Sequence, residues 1–454
     1  MNYKETCEFL YSQLPMFERQ GAGGYKPGLQ TSETLDEYYG HPHRRYQTIH
    51  VAGTNGKGSV SHALASILRE NGLRVGLYTS PHLVDFRERI RVNGEYISEQ
   101  YVVDFVESLT PNPSPKGEGN PIAQGIILGR DKDQKGHLPP SLSGEGSGVR
   151  LHPSFFELTT AMAFKYFADE QVDVAVIEVG LGGRLDSTNI ITPMLSVITN
   201  IALDHTQFLG STLTEIAAEK AGIIKRGVPV VIGETTPETR PVFERKAREM
   251  NAPIFFAEEF KMPTPLPDFE LKGAYQQKNL RTILCAVAQI QNLTSRPNIL
   301  PSLFGEGSGE RPSIGGLGLS GRWQTLREQP LVICDTGHNP AAWEYLAPQI
   351  AAQTCRQLRI VFGMVDDKDL DTVLAMLPKN AVYYFTQAST HRAIPADRVA
   401  EKAAAHNLHG TTYSTVAEAY RQAFADAAPD DFIFVGGSSY VVADLLSNNQ
   451  FITR

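Results

Sequence analysis

Short, almost unbroken apolar runs recur along the chain, separated by stretches in which apolar residues fall three and four apart. The runs are Gln47–Ala52, "RVGLY" at Arg74–Tyr78, "DVAVIEVG" at Asp173–Gly180, "LSVITNI" at Leu195–Ile201, "VPVVIG" at Val228–Gly233, "LVICD" at Leu331–Asp335, "LRIVFGM" at Leu358–Met364 and "DFIFVGG" at Asp431–Gly437. Runs this rich in Val and Ile predict parallel strands covered by helices on both faces. The expected class is α/β.

Two segments break the pattern. Pro111–Arg150 and Ser295–Ser320 are rich in Pro, Gly and Ser and cannot bury enough apolar surface to order themselves easily. They carry near copies of one phrase, "LPPSLSGEGSG" at Leu138–Gly148 and "LPSLFGEGSG" at Leu300–Gly309, which points to inserted repetitive sequence. The expected division is a first domain over 1–294 with a surface insertion at 111–150, a linker over 295–320, and a second domain over 321–454. A length of 454 residues accommodates two or three domains.

One turn between a predicted strand and helix carries chemistry. In "IHVAGTNGKGSVSHALASIL" (Ile49–Leu68), Val60, Leu64, Ile67 and Leu68 fall at helical spacing after a glycine-rich loop. Strand, glycine turn and helix in that order aim backbone N–H groups and a helix N-terminus at an anion. The residues that would cradle phosphate are Gly53, Thr54, Asn55, Gly56, Lys57, Gly58 and Ser59, with the Lys57 ammonium near the β and γ phosphates. A Walker loop follows its Lys with Ser or Thr to hold Mg²⁺. Here Gly58 stands in that place, so a metal ligand must come from elsewhere.

Candidates lie at other strand ends, where ligands collect in an open α/β sheet. Glu178 closes the apolar run "DVAVIE", where an ionised carboxylate needs a cation or hydrogen-bond partner. His205 follows "LSVITNI", and Ser80 follows "RVGLY". Carboxylate and hydroxyl oxygens suit Mg²⁺ well, an imidazole less so. Structural alternatives are a satisfied carboxylate, a capping or core histidine and a helix N-cap at Ser80. Lys220 falls inside an apolar stripe of Leu213, Ile216, Ala217, Ile223 and Ile224. It is either a lysine whose stem snorkels to water or one held at an active site with perturbed charge or a covalent modification.

Charge and cysteine usage narrow the class. Asp and Glu number 50 against 42 Lys and Arg, a net charge of −8, and the cations are dispersed, so nothing marks a nucleic-acid footprint. Cys7, Cys285, Cys334 and Cys355 contain no CxxC pair and read as reduced, buried thiols, which suits a cytoplasmic enzyme. Nowhere do about 18 apolar residues run together, so no membrane span is expected.

The ordered stretches "HVAGTNGKGS", "YTSPHL", "ERI", "FFELTTAMAF", "IEVGLGGRLDSTN", "ITNIALDHT", "AAEKAGIIK", "YQQKN", "SGRWQ", "DTGHNP" and "GGSSY" resemble the signatures of the dihydrofolate synthase/folylpolyglutamate synthase family within the Mur-ligase superfamily. The resemblance spans nearly the whole chain outside the two low-complexity segments. It implies an N-terminal P-loop ATPase domain with a mainly parallel sheet and a C-terminal Rossmann-like domain. It implies an ATP-dependent ligase joining L-glutamate to dihydropteroate or to reduced folates through an acyl phosphate, acting as a monomer with Mg²⁺, two ions. Carried over by position, Ser80, Glu178 and His205 would hold Mg²⁺, and Lys220 would be N-carboxylated and join them. Asn279, Arg322, Asp335 and His338 would approach ATP. His338 and Ser438 would lie near the incoming glutamate, and Phe156, Arg184 and Asp186 near the pterin. Two loops depart from the family pattern: "DTGHNP" stands for Asp-Gly-Ala-His-Asn-Pro, and "GGS" at Gly436–Ser438 for Thr-Gly-Ser. A peptidoglycan Mur ligase acting on a UDP-sugar and a regulatory NTPase are the competing expectations.

Overall fold

In the computed structural model, the residues described are 1–14, 28–109, 153–264, 266–294 and 313–448. The predicted insertion at 111–150 and most of the predicted linker lie outside them.

Every apolar run named above forms a strand. The first sheet has the order β4-β3-β2-β5-β1-β6-β7-β8, built from β1 (Gln47–Ala52), β2 (Val75–Tyr78), β3 (Ile90–Val92), β4 (Glu95–Tyr96), β5 (Val174–Glu178), β6 (Leu195–Ile198), β7 (Val230–Ile232) and β8 (Ile254–Phe256). β1 lies between β5 and β6, with His50 opposite Ile177 and Ser196. All pairings are parallel from β2 to β8, whereas β3 and β4 turn antiparallel at one edge. β1, β2, β5 and β6 are buried almost throughout, as strands covered on both faces should be.

Short strands β9 (Asp268–Phe269) and β10 (Ser313–Ile314) pair separately. The second sheet has the order β11-β12-β16-β13-β14-β15, with β11 (Gln324–Glu328), β12 (Leu331–Asp335), β13 (Leu358–Phe362), β14 (Ala381–Phe385), β15 (Gly410–Thr412) and β16 (Phe432–Gly436). It is parallel except for its antiparallel edge β11, so a Rossmann-like sheet follows the P-loop sheet.

Two local expectations change. Residues 313–320, grouped by composition with the linker, are packed: Ile314 and Leu317 are buried in the core beside the Lys57–Glu70 helix. Backbone acceptors do the tying, because His62 Nδ1 lies 2.7 Å from the Leu317 carbonyl and Arg91 donates to that of Gly318. The stripe around Lys220 also ends early. Its helix spans Leu213–Ala221, and Ile223 and Ile224 are buried just beyond the Gly222 cap.

Candidate active site

The carboxyl ends of β1, β2, β5 and β6 open onto a cavity of about 300 Å³ that the second sheet closes from the opposite side. Lys57, Ser80, Phe156, Glu178, Asp186, His205, Lys220, Arg322, His338 and Ser438 all line it. These residues come from distant parts of the chain.

The phosphate loop is shaped by its glycines. Gly53 has φ +147°, and a Cβ there would lie 1.8 Å from Thr199 Oγ1; Gly56 has φ +85°, and a Cβ there would lie 2.3 Å from Asn279 Oδ1. The segment after β6 braces the loop: Thr199 donates its hydroxyl to the Asn55 carbonyl at 2.6 Å, and Asn55 N–H donates to Asn200 Oδ1 at 2.8 Å. Asn279 is buried below, donating to Gln276, which donates to Ser59. Asn279 thus supports the loop without lining the cavity.

Two lysines converge on one carbonyl. Lys57 Nζ donates to the Gly53 and Thr54 carbonyls at 3.0 and 3.1 Å, and Lys220 Nζ donates to Gly53 at 2.8 Å. Burial lowers both ammonium pKa values. Lys220, which also feels Lys57, is pushed down to about 7. The snorkelling alternative is thereby excluded, since Lys220 is buried and its amine points inward.

Glu178 answers the question raised by Gly58. Burial raises its pKa against the pull of Lys57, and its Oε2 accepts the Ser80 N–H at 3.0 Å. A Cβ at position 58 would lie 3.9 Å from Glu178 Oε1, so the carboxylate faces the spot from which a Walker hydroxyl would hang. Ser80 caps no helix; its backbone serves Glu178. His205 sits at φ +48° ahead of the Thr206–Leu209 helix, and burial takes its pKa down to about 3, leaving a neutral ring. Among the described residues no group of three or more His, Cys, Asp or Glu gathers as a metal site. A few oxygen donors beside a phosphate loop fit Mg²⁺, which keeps waters and phosphate oxygens as ligands.

On the opposite wall, Arg322 and His338 line the cavity, and Asp335 lies behind them. Asp335 accepts from Tyr275 Oη, Trp323 N and Gly337 N at 2.7–2.8 Å, so it fixes the loop that carries His338. Ser438 caps the Ser439–Leu446 helix by accepting from Tyr440 N. At Gly436, where the family pattern has Thr before Gly-Ser, a Cβ would lie 2.7 Å from the Asp335 carbonyl, so the backbone here approaches that carbonyl closely.

The pterin-side residues differ among themselves. The Phe156 ring packs against Gly180, where a Cβ would approach Phe156 Cζ to 2.4 Å. Asp186 reaches the cavity, but it already accepts from Leu181 N and Thr188 N and caps its own turn. Arg184 is not among the lining residues. It is more than half exposed and pairs with Glu219 at 2.9 Å.

Sequence reasoning passed over Asp204, which is 8% exposed and receives donors from the other domain: Lys368 Nζ at 2.5 Å and Asn339 Nδ2 at 3.2 Å, with His338 Nε2 at 3.5 Å. Asn339 and Asn55 exchange side-chain hydrogen bonds across the same gap. Against the upward push of burial, His338 and Lys368 hold the Asp204 carboxyl well below its usual range. Its place beside His205 in "ALDHT" was the only sequence signal.

Residues 153–284 match the family described as Mur ligase middle domain, and residues 321–439 the one described as Mur ligase, glutamate ligase domain. The chain is 31% identical to the folylpolyglutamate synthase of Lacticaseibacillus casei across 98% of this chain and 97% of that protein. It is 32% identical to the dihydrofolate synthase/folylpolyglutamate synthase of Bacillus subtilis (strain 168) across 83% and 82%. Among solved structures it is similar to Escherichia coli FolC in complex with DHPP and ADP, with a TM-score of 0.77 and 29% identity over 98% of this chain and 97% of that one. It is likewise similar to the bifunctional folylpolyglutamate synthase/dihydrofolate synthase of Yersinia pestis complexed with AMPPNP and Mn ion, with a TM-score of 0.75, 29% identity and 98% of each chain covered.

Proposed function

The chain belongs to the dihydrofolate synthase/folylpolyglutamate synthase family, and from that premise we propose how its residues carry out ATP-dependent glutamate ligation. The enzyme is a carboxylate–amine ligase, and its acceptor is dihydropteroate, a reduced folyl-glutamate or both. The γ-phosphoryl group of ATP passes to the acceptor carboxylate, giving ADP and an acyl phosphate. The glutamate amine attacks that carbon, phosphate leaves, and an amide and a proton result.

The observation that carries this reading is the single cavity joining Lys57, Glu178 and Lys220 to Arg322, His338 and Ser438. Little nucleophilic help is needed from the protein; positioning and charge neutralisation do the work. Lys57 and the loop N–H groups bind the phosphates. Asn279 and Asp335 hold the two loops that flank ATP, and Arg322 supplies a cation from the far side. Ser80, Glu178 and His205 would hold Mg²⁺, which when bound neutralises phosphate charge. The Lys220 amine adds CO₂ to give a carbamate and a proton, and the carbamate oxygens would hold a second ion. His338 and Ser438 receive the glutamate; Phe156 and Asp186 form the pterin end, with Arg184 at its rim.

The proposal includes a first domain over 1–294, an inserted segment at 111–150, a linker over 295–320 and a second domain over 321–454. It also includes a monomer acting in the cytoplasm without nucleic acid or membrane. Among the described residues no helix is long and apolar enough to cross a membrane.

The test offers dihydropteroate, tetrahydrofolate and a UDP-muramoyl substrate in turn with ATP and Mg²⁺, with and without glutamate. Glutamate-dependent ADP with a folate acceptor supports the reading; release only with the UDP-sugar, or independent of glutamate, overturns it. ADP with tetrahydrofolate but not dihydropteroate removes the first of the two activities.

A further inference from the structure

The segment running from Gly182 to Asp186 touches the helix that carries Lys220 backbone to backbone. A Cβ on Gly183 would come within 2.9 Å of the Glu219 carbonyl and 3.1 Å of Lys220 Cα, and one on Gly222 within 2.4 Å of Arg184 Cα. Arg184 N–H donates to the Glu219 carbonyl at 2.8 Å. Glycine on each side permits this approach, but close contact alone does not set an angle between the two segments.

Asn189 does. It sits on the short turn Ser187–Ile190 that Asp186 caps, and it is buried. Its amide nitrogen bridges the two segments, donating to the Arg184 carbonyl at 3.0 Å and to the Gly222 carbonyl at 3.1 Å. Its Oδ1 has no hydrogen-bond partner among the described residues. The orientation of the amide is therefore dictated by two carbonyls that both require a donor. Lys225 closes the arrangement by donating to the Asn189 carbonyl at 2.8 Å. From Gly222 the helix leads within one turn to Lys220, whose amine meets the Gly53 carbonyl of the phosphate loop.

We propose that Asn189 is a positioning residue for the ligase reaction: it fixes the Lys220 helix against the loop that brings Asp186 to the acceptor end of the cavity. Acceptor and phosphate ends of the site are thereby held in one register through one side-chain amide. The idea rests on the assignment of Lys220 to the active site.

Asn189→Asp is the informative change, being isosteric but presenting an oxygen to both carbonyls. Asn189→Ser keeps a single short donor. For each, kcat per folded molecule, the KM values, the Kd for an ATP analogue and the carbamate signal from labelled bicarbonate are measured beside wild type and Lys220→Ala. Misplacement of a reacting group by about 1 Å costs roughly 10²-fold, so Asn189→Asp should lose about that much kcat, with Asn189→Ser between it and wild type. The analogue Kd should stay unchanged, and the carbamate signal should weaken in the same order. Folded Asn189→Asp with wild-type kcat overturns the proposal. So does a rate loss that tracks only the folded fraction, as a purely structural role requires. If Asn189→Asp does not fold, Asn189→Ser decides alone, and wild-type kcat there overturns the proposal equally. Full turnover by Lys220→Ala instead removes the parent assignment, an outcome distinct from indifference at Asn189.

Discussion

At the level of single residues, the departure from a Walker loop explains itself. Gly58 leaves room opposite the buried Glu178 carboxylate, which in the proposed reading would offer the oxygen that Ser or Thr offers in a Walker loop. Lys57 remains in register, so Lys57→Ala should cut ligation by about 10²-fold or more, the order seen when one preorganised charge stabiliser is lost. Its melting temperature should stay near that of wild type; near-normal turnover at saturating ATP would sink the assignment. Lys220 makes a pH prediction. Burial and Lys57 place its ammonium near pH 7, so the neutral amine predominates above that value and the charged form below it. Carbamate forms from the neutral amine and releases a proton, so acid works against it twice. Labelled-bicarbonate carbon NMR and turnover should therefore decline together as pH falls from about 8 to about 6, a span set by the lowered pKa. A carbamate signal flat across that range contradicts the mechanism. The legible residues were those whose chemistry conflicts with a local pattern: a lysine in an apolar stripe, a glutamate ending a buried strand.

Among the elements, long apolar runs were legible and edges were not. β3, β4, β8, β11 and β15 are two to five residues long and lie at or next to a sheet edge, each too short or too polar for a continuous apolar run to announce it. β14 lies inside its sheet, yet its first two residues are partly exposed and it begins after polar residues. Composition did not announce the packing of 313–320, because two apolar side chains and three backbone carbonyls suffice to dock that strap, at Ile314, Leu317, Gly315 and Gly318. The phosphate loop offers a sharp test of its own. Gly53→Ala meets both a disfavoured φ and Thr199, so it should lower stability by about 1–3 kcal/mol in denaturant unfolding. An unshifted midpoint would mean that the loop is not held in this conformation. Replacing 111–150 by a short Gly/Ser loop should leave turnover nearly unchanged, because its Pro-, Gly- and Ser-rich composition can bury little apolar surface and a change in connection length costs little closure entropy. Loss of folding or turnover would give that segment a role.

Across the whole molecule, the site exists only where two sheets face each other, which is why Asp204, Asn339 and Lys368 escaped sequence reading: their chemistry arises from contacts between domains. Asp204→Asn removes the charge that draws Lys368 across the gap. Breaking one partner of a buried pair costs several kcal/mol, so KM for glutamate should rise roughly tenfold or more. Small-angle scattering with an ATP analogue should show a less closed particle than wild type, and an unchanged KM and radius would remove Asp204 from closure. Exclusion of water by closure also separates a ligase from a hydrolase, since an acyl phosphate open to solvent is lost. The most direct measurement is therefore ADP release by the purified full chain with ATP, Mg²⁺ and a folate acceptor, followed with and without L-glutamate alongside the mass of the acceptor. ADP should appear only when glutamate is present and match, molecule for molecule, the acceptor that gains one glutamyl residue. ADP released at the same rate without glutamate, or with no gain in acceptor mass, would contradict the account.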